Sequence, residues 1–352
     1  MRHGTPSENS ILKRILKRMA DSTKDLSGRT VHSGIGDDAA LFRPKRGHEV
    51  ILTCDWFLEG THFLRDKHPP DAVGWKSLAR ALSDVAAMGG VPRCFLLSLA
   101  IPESHTGRWL DAFLGGLRRA SRKFACTLAG GDTTRRREIL INITILGETR
   151  ESRALLRSKA RAGDIIYVTG RLGEAELGLR ILRSSRSPVR PSNPFLKKHL
   201  YPVPRLAVGQ WLAEKRLATS MMDLSDGLSS DLPRLCAASG VGARVDSGLL
   251  PVVRSSKACR GPAFDSLQLA LHGGDDYELL FTVRPSRLNM LPKTLHGVLL
   301  TAIGRITEQR GLVLLKQAGR ERQLHPSGWD PFGIKRKRQP SSAADGRHCH
   351  SN

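Results

Sequence analysis

The spacing of apolar residues predicts three helices in the first half of the chain. Near the N-terminus, apolar side chains recur every three or four residues, and a serine ahead of them is available as an N-cap. A long helix is predicted over Asp71 to Met88, where a Gly-Gly pair and a proline end it, and another over about Gly107 to Lys123. The first pattern consists of Ile11, Leu12, Ile15, Leu16 and Met19, with Ser7 or Ser10 as the cap.

Short runs of Val, Ile and Leu between these helices predict strands, so the first half of the chain is expected to be mixed α and β. The run Val50 to Thr53 delivers Asp55 at its end, and Phe95 to Ile101 has the composition of a buried strand. Two further strands are predicted over Thr127 to Ala129 and over Ile139 to Gly147.

A second unit is predicted to begin near Arg161 with the strand Ile165 to Thr169. Gly170-x-x-Gly173 then opens a helix, and these glycines either present backbone N–H groups to a phosphate or make a tight connection. Residues 183–194 are typical of a surface loop. The predicted division is an N-terminal domain, 1–150, a C-terminal domain, 151–334, and a basic tail, 335–352, that is expected to be disordered.

Composition narrows the class of protein. At 352 residues the chain is long enough for two domains, and 40% apolar residues suffice for α/β cores. The six cysteines include no Cys-x-x-Cys pair, which argues against a disulfide framework and a zinc site and favours a reducing compartment. There is no apolar run of membrane-span length and no secretory signal, so a cytoplasmic protein is expected.

The net charge of +23 has two interpretations. It is typical of proteins that bind nucleic acids or other polyanions. However, the basic residues are dispersed and do not form one stripe with interleaved aromatics, which favours a generally basic surface. Such a surface would also steer phosphorylated substrates towards an acidic site.

Six clusters combine an acidic residue with a nearby glycine or a second acid. They are spread over about 240 residues, so they cannot form one linear motif. If the fold brings them together, they form a pocket of carboxylates, as several Mg²⁺ ions that bridge a polyphosphate require. The clusters lie at 34–39, 53–62, 82–90, 130–134, 223–227 and 273–278.

Each cluster also has a structural interpretation. Adjacent Asp37 and Asp38 are suited to a helix N-cap, and Ser225 or Asp226 could cap a helix that runs through Leu235. Capping and phosphate binding are compatible, because the N-terminus of a helix favours negative charge.

The chemistry that remains is direct phosphoryl transfer. The sequence has no Walker motif, no protein-kinase His-Arg-Asp set, no Gly-x-Ser-x-Gly elbow and no histidine pair at metal-ligand spacing. No protein nucleophile is therefore expected. Phosphoryl transfer asks mainly for positioning and for charge neutralisation by metal ions.

Taken in order, the six clusters resemble those of the thiamine-monophosphate kinase family, from about residue 8 to Phe332. The resemblance implies an α/β (mixed α+β) fold of the two-domain aminoimidazole ribonucleotide synthetase-like type, each domain a mixed sheet covered by helices. It also implies ATP as co-substrate, several Mg²⁺ ions as cofactors, and a homodimer formed through the N-terminal domains. The implied reaction is ATP-dependent phosphorylation of thiamine phosphate to thiamine diphosphate.

The resemblance also assigns roles to individual residues. The metal ligands would be Asp37, Thr53, Asp55, Asp84, Asp132, Asp223 and Asp226. ATP would contact Gly131, Arg157 and Ser225, and the substrate would contact His62, Asp275 and Trp329.

Three departures from the family pattern stand out. Cys54 replaces a usual Thr, which predicts a weaker metal contact nearby, and Asp275 replaces a usual Glu, which shortens its reach. The basic tail has no counterpart in the family.

Two other functions stay open. One is a different ATP-dependent enzyme of the superfamily, such as a selenophosphate or aminoimidazole ribonucleotide synthetase; the former calls for a reactive cysteine near the N-terminus, and the first cysteine is Cys54. The other is a nucleic-acid-binding protein on an inactive enzyme fold, motivated by the net charge and by the basic run 335–338. The acidic clusters argue against nucleic acid as a partner, because a pocket of carboxylates repels phosphates unless metal ions fill it.

Overall fold

A computed structural model describes residues 7–23, 31–35, 38–185, 193–254 and 264–332 of the chain. Its helices are α1 (Glu8–Thr23), α2 (Pro70–Ala87), α3 (Arg108–Phe124), α4 (Glu174–Ser184), α5 (Pro194–Leu200), α6 (Leu206–Glu214), α7 (Leu228–Ser239) and α8 (Ser266–His272). Its strands are β1 (Val31–Ser33), β2 (Leu41–Phe42), β3 (His48–Leu58), β4 (Val91–Ile101), β5 (Thr127–Arg135), β6 (Leu140–Arg150), β7 (Ile165–Thr169), β8 (Ala218–Leu224), β9 (Gly242–Asp246), β10 (Glu278–Val283), β11 (Thr294–Leu295), β12 (Val298–Thr307), β13 (Val313–Gln317) and β14 (Arg320–Gln323).

The N-terminal unit is built on a four-stranded sheet with the order β3-β6-β4-β5. Only the β4–β5 pairing within this sheet is parallel. Helices α2 and α3 cover one face, and α1 packs against α3 and β5. The core between helices and sheet includes Leu82, Phe95, Phe113 and Ile143, which are all buried. On the other face, alternate residues of β3 point outwards, as the two-residue period of a strand requires.

The C-terminal unit is built on a larger mixed sheet with the order β14-β13-β9-β12-β7-β10-β8, and β11 pairs with β12. The β13–β9 pairing is parallel, and the other pairings described for this sheet are antiparallel. Leu232 and Leu235 of α7 pack on one face, together with residues of α8. Val208 and Leu212 of α6 contribute to the core on the other face, together with Phe281 of β10.

Helix α2 belongs to both units. Its middle packs into the core of the first sheet, whereas Ala86 and Ala87 at its end lie in the cluster formed by α6 and the second sheet. The helices α2 and α6 approach so closely that a Cβ atom on Gly209 would lie 2.0 Å from the Ala86 carbonyl oxygen. The helix is therefore a shared structural element, and its charged residues lie between the two sheets.

The mixed α/β fold predicted from the sequence is confirmed. The strand Ile165–Thr169 has the predicted bounds, and α2 and α3 differ from their predicted bounds by about one residue at each end. Ser7 acts as the cap of α1, since its Oγ accepts the Ser10 N–H at 3.3 Å. None of the helices in the described ranges is both long and apolar enough to cross a membrane.

Candidate active site

A cavity of about 550 Å³ lies between the two units. One wall comes from β3, the loop that follows it and α2, and the other comes from the β8–α7 turn, the loop before β10 and the segment 327–331. The sequence-predicted site residues that line the cavity are Asp55, His62, Asp84, Asp223, Ser225, Asp226, Asp275 and Trp329. The fold therefore brings together four of the six acidic clusters at one place.

Helix α2 supplies three charged residues at intervals of four, Lys76, Arg80 and Asp84. Residues with this spacing lie on the same face of a helix. Arg80 and Asp84 line the cavity, and the Lys76 side chain is only 1% exposed. The sequence reasoning missed Lys76 and Arg80, although charges repeated every four residues in an otherwise apolar helix were a visible signal.

Hard oxygen donors are grouped at one end of the cavity. Thr53 Oγ1 donates to Asp84 Oδ2 at 2.6 Å. Burial, and then the neighbouring Asp84 charge, raise the pKa of Asp223 to about 7. Two carboxylates that share a buried space repel each other unless a cation lies between them. This end of the cavity is therefore suited to a positively charged ligand.

In the same part of the cavity, Asp55 forms an ion pair with Arg80. The Arg80 Nε and Nη2 groups donate to the two oxygens of Asp55 at 2.7 and 3.1 Å. The guanidinium also lies 5.4 Å from the centre of the Phe57 ring. Burial raises the pKa of Asp55, although Arg80 opposes this effect.

The turn between β8 and α7 directs Asp226 into the cavity. Gly227, at φ 101°, is the residue that begins α7 as its N-cap, so the interpretation of Ser225 or Asp226 as the cap is wrong. Instead, the Asp231 carboxylate accepts the backbone N–H groups of Asp226 and Gly227 at 3.0 and 3.1 Å. The Asp226 side chain is left to pair with Arg234 at the cavity wall.

The three acids of the cluster 273–278 have three different environments. Asp275 lines the cavity, and its φ of 67° turns the chain there. Asp276 accepts the Gly173 N–H at 2.6 Å at the start of α4, which is a structural role. Glu278 is fully buried and binds Arg205 Nε at 2.6 Å. Only one of these acids is therefore available to a ligand.

Asp275 is held by groups from both units. Lys76 Nζ donates to Asp275 Oδ2 at 2.8 Å, and the Tyr277 hydroxyl donates to Oδ1 at 2.7 Å. Burial opposes ionisation, but the nearby positive charges, led by Lys76 and including Arg80, together with the Lys76 hydrogen bond outweigh it and hold the pKa of Asp275 well below its usual range. Asp275 therefore presents a fixed negative charge.

Two buried histidines extend this network. His199 Nδ1 lies 3.3 Å from Lys76 Nζ, and the Nε2 atoms of His199 and His68 are 3.1 Å apart. Burial, and then the Lys76 charge, lower the pKa of His68 to about 3, and the same causes lower the pKa of His199 well below its usual value. Both rings are therefore neutral at physiological pH.

These histidines predict steep acid destabilisation. Below about pH 6.5 the unfolded chain protonates His68 whereas the folded protein does not, so stability falls as the pH falls towards about 3, and His199 acts in the same direction. His68 should contribute a slope of about 1.4 kcal/mol per pH unit. Urea unfolding between pH 7 and 4 is expected to show a shallower slope for His68→Gln than for wild type. The exposed His296→Gln variant should keep the wild-type slope, and equal slopes for all three proteins would contradict the assignment.

His62 and Trp329 form an aromatic end of the cavity. Their ring centres are 6.5 Å apart, and the Leu58 N–H donates to His62 Nδ1 at 3.0 Å. Burial and Arg80 lower the pKa of His62 to about 4, so its ring is neutral at pH 7. The backbone N–H of Trp329 donates to the Asp226 carbonyl oxygen at 3.0 Å, and the Trp329 residue is 42% exposed. The exposed indole is available to stack on a ligand.

Some sequence-predicted residues lie apart from this cavity. Gly131 and Asp132 are exposed on β5, and a Cβ atom on Gly131 would lie 2.0 Å from the Leu97 carbonyl oxygen, so packing alone requires glycine there. Arg157 is exposed, and its carbonyl accepts the hydroxyls of Ser220 and Ser239. Asp37, the tail 335–352 and most of the predicted loop 183–194 lie outside the described residues.

The substitution at Cys54 does not reach the cavity. Cys54 is exposed on β3, whereas its neighbours Thr53 and Asp55 point to the side covered by α2. Successive side chains of a strand point to opposite faces. The weaker metal contact expected from this departure therefore has no direct structural basis.

Comparison with known proteins places this geometry in a family. The models for the N-terminal and C-terminal domains of AIR synthase related protein match residues 36–149 and 161–317. Thiamine-monophosphate kinase of Escherichia coli K12 is 38% identical over 330 residues, which cover 92% of this chain and 98% of the relative.

Solved structures agree with this match. Thiamine-monophosphate kinase from Stenotrophomonas maltophilia K279a superposes with a TM-score of 0.76 at 34% identity, covering 86% of this chain and 96% of that one. AaThiL complexed with AMPPCP and TMP superposes with a TM-score of 0.72 at 30% identity, covering 94% of this chain and 99% of that one. With its two matched domains and these relatives over most of its length, the chain belongs to the thiamine-monophosphate kinase family.

Proposed function

We propose that this protein transfers the γ-phosphoryl group of ATP to thiamine phosphate, which yields thiamine diphosphate and ADP. The observation that carries the proposal is one cavity lined by two sets of residues: hard oxygen donors around Asp84 and Asp223, here called the phosphate end, and the rings of His62 and Trp329 with Asp275, here called the thiamine end. The first set suits polyphosphate with metal ions, and the second suits a cationic aromatic molecule. A relative with 30% identity has been solved with AMPPCP, an ATP analogue, and TMP.

The thiamine end is formed by Trp329, His62 and Asp275. A thiazolium ring against the exposed indole would gain roughly 0.5–2 kcal/mol of cation–π attraction. The neutral His62 ring adds no positive charge, and the ionised Asp275 carboxylate attracts a cation. The chain's own groups therefore bind and orient the acceptor.

The phosphate end fits Mg²⁺ by the chemistry of its donors. Carboxylates and a hydroxyl are the ligands that Mg²⁺ prefers, and Thr53, Asp55, Asp84, Asp223 and Asp226 would hold the ions. Among the described residues no three His, Cys, Asp or Glu side chains form a ready-made metal cluster, so the donors stand singly or in pairs. When bound, Mg²⁺ supplies charge neutralisation to the two phosphate groups.

The remaining assignments come from the family pattern. Asp37 and Asp132 would complete the metal ligands, and Gly131, Arg157 and Ser225 would contact ATP. Of these five, Ser225 alone lies in the cavity wall as described. The cytoplasmic location inferred from composition stays a prediction.

The test is an assay of purified full-length protein with ATP, Mg²⁺ and thiamine phosphate. Chromatography should show thiamine diphosphate and ADP in equal amounts, and no product when thiamine replaces thiamine phosphate. ATP turnover with selenide in place of thiamine phosphate would instead favour a selenophosphate synthetase. Salt-sensitive DNA binding without any turnover would favour the nucleic-acid alternative.

We also propose that two copies of the chain associate through the outer face of the N-terminal sheet. Val50, Leu52 and Trp56 lie on this face of the edge strand β3, and Leu52 is 68% exposed. A contiguous apolar surface on an otherwise charged protein marks an interaction site. A second copy is the occupant that the family pattern implies.

Light scattering after gel filtration should therefore give twice the mass of one chain. Leu52→Arg places a charge in the proposed interface and should yield monomers. Leu299→Arg, at an exposed leucine of the C-terminal sheet, is the matched control and should leave the mass unchanged. A monomeric wild type, or a dimeric Leu52→Arg variant, would contradict this interface.

A further inference from the structure

Arg80 lies in the cavity wall beside Asp55 and within reach of the Asp275 charge. It lies one helical turn from Asp84 of the phosphate end and one turn from Lys76, which binds Asp275 of the thiamine end. Its side chain is 13% exposed, and the residue lines the cavity.

The orientation of the Arg80 guanidinium is fixed. One edge of the group, Nε and Nη2, is bound to Asp55, and Phe57 lies against it. A guanidinium has five N–H donors, so three stay available on Nη1 and Nη2. They form the second edge of the planar fork, which matches two oxygens of a phosphate.

This second edge is incompletely satisfied. In the described part of the chain, Arg80 Nη1 is a buried nitrogen without a hydrogen-bond partner. Leaving a buried polar group unpaired costs about 1–3 kcal/mol, and such a group in a native site calls for an explanation. Nη1 has almost no accessible surface, so a ligand that supplies the missing partner must displace a covering group as it binds.

The charges of the residues that line the cavity indicate why a ligand phosphate would need Arg80. Among its described lining residues, six carry carboxylates, whereas the two arginines are Arg80 and Arg183. Arg183 is exposed near the end of α4, so Arg80 is the more interior of the two. A phosphate dianion in this acidic surrounding needs a nearby fixed cation. The six carboxylates belong to Asp55, Asp84, Glu176, Asp223, Asp226 and Asp275.

We propose that Arg80 binds the phosphate monoester of thiamine phosphate through its Nη1–Nη2 edge, while its Nε–Nη2 edge stays on Asp55. This inference rests on the proposed function, which it deepens by naming the residue that recognises the acceptor phosphate. Arg80 thereby makes the site selective for phosphorylated over unphosphorylated thiamine.

The test compares the affinities of thiamine phosphate and thiamine, measured by calorimetry with Mg²⁺ and without ATP. Wild type should prefer thiamine phosphate. Arg80→Met should lose roughly 10- to 100-fold of this preference, the size of one charge-assisted interaction. Trp329→Ala is the matched control, because it should weaken both ligands by a similar factor and leave their ratio unchanged.

A double variant distinguishes direct contact between Arg80 and the ligand phosphate from mere neutralisation of Asp55 by Arg80. If Arg80 only neutralises Asp55, then Arg80→Met combined with Asp55→Asn should regain the wild-type ratio, and the proposal falls. If Arg80 contacts the phosphate, the double variant should stay unselective, whereas Asp55→Asn alone, which loses the same candidate metal ligand but keeps Arg80, should still prefer thiamine phosphate. If Arg80→Met does not fold, Arg80→Gln replaces it. Its amide can still bind Asp55, and the same loss of preference for thiamine phosphate over thiamine is expected.

Two outcomes in the wild-type protein distinguish this inference from the proposed function. Absence of turnover with ATP and thiamine phosphate overturns the proposed function itself. Normal turnover together with equal affinities for thiamine and thiamine phosphate, or an unchanged ratio in Arg80→Met, overturns the role of Arg80 alone.

Discussion

Asp84→Asn is expected to lower turnover on the order of a thousandfold, because the variant loses a charge that holds Mg²⁺ against the phosphates. The amide oxygen of Asn can still accept the hydrogen bond that Thr53 donates to Asp84. The fold should therefore be kept, and the melting temperature without metal should be equal or slightly higher, because repulsion with Asp223 is relieved.

Steady-state kinetics at saturating substrates and melting curves with and without Mg²⁺ measure both effects. The variant should also lose part of the stabilisation that Mg²⁺ gives to wild type. Asp111→Asn is the matched control, since Asp111 pairs with Arg14 and Arg18 on the surface and should leave turnover unchanged. Near-normal turnover of Asp84→Asn would show that Asp84 only anchors Thr53.

Lys76→Met should lower the free energy of unfolding by about 3 kcal/mol, because it leaves Asp275 as an uncompensated charge between the two units. Methionine fills most of the space of the lysine side chain, so lost packing should contribute little. Denaturant titration of the full-length variant, read by circular dichroism, gives this free energy.

Adding Asp275→Asn to Lys76→Met should restore much of the lost stability, since no unpaired charge is then buried. Lys215→Met changes an exposed lysine at the end of α6 and should have an effect within about 0.5 kcal/mol. If Lys76→Met alone is as stable as wild type, the ion pair has no structural importance.

The sequence predicted the secondary-structure elements and the type of chemistry more accurately than it predicted which residues contact each other. Apolar spacing located α3 closely because this helix buries one apolar stripe, and it located α2 closely because most of that helix is buried and it ends just before Gly89, which has φ 68°. The glycine beside Asp226 does mark a sharp turn, since Gly227 has φ 101°. At Gly131 in β5, the pairing of glycine with aspartate instead reflects close packing against the backbone of Leu97 in the neighbouring strand β4.

Long-range pairing is what the sequence could not supply. Lys76 and Asp275 are separated by 199 positions, and Arg80 and Asp55 meet only because α2 lies across β3. Local spacing carries no information about such partners. Nor could it tell that Asp276 caps a helix and Glu278 binds buried cations while Asp275, beside them, faces the cavity.

The sharing of α2 between two cores has a consequence for cooperativity. The helix cannot leave the core of the first sheet without withdrawing Ala86 and Ala87 from the second. Partial unfolding of either unit would therefore expose apolar surface of the other, which makes an intermediate with one intact unit costly. The boundary predicted at residue 150 lies between two sheets in the chain, and we expect that it does not separate two independently folding parts.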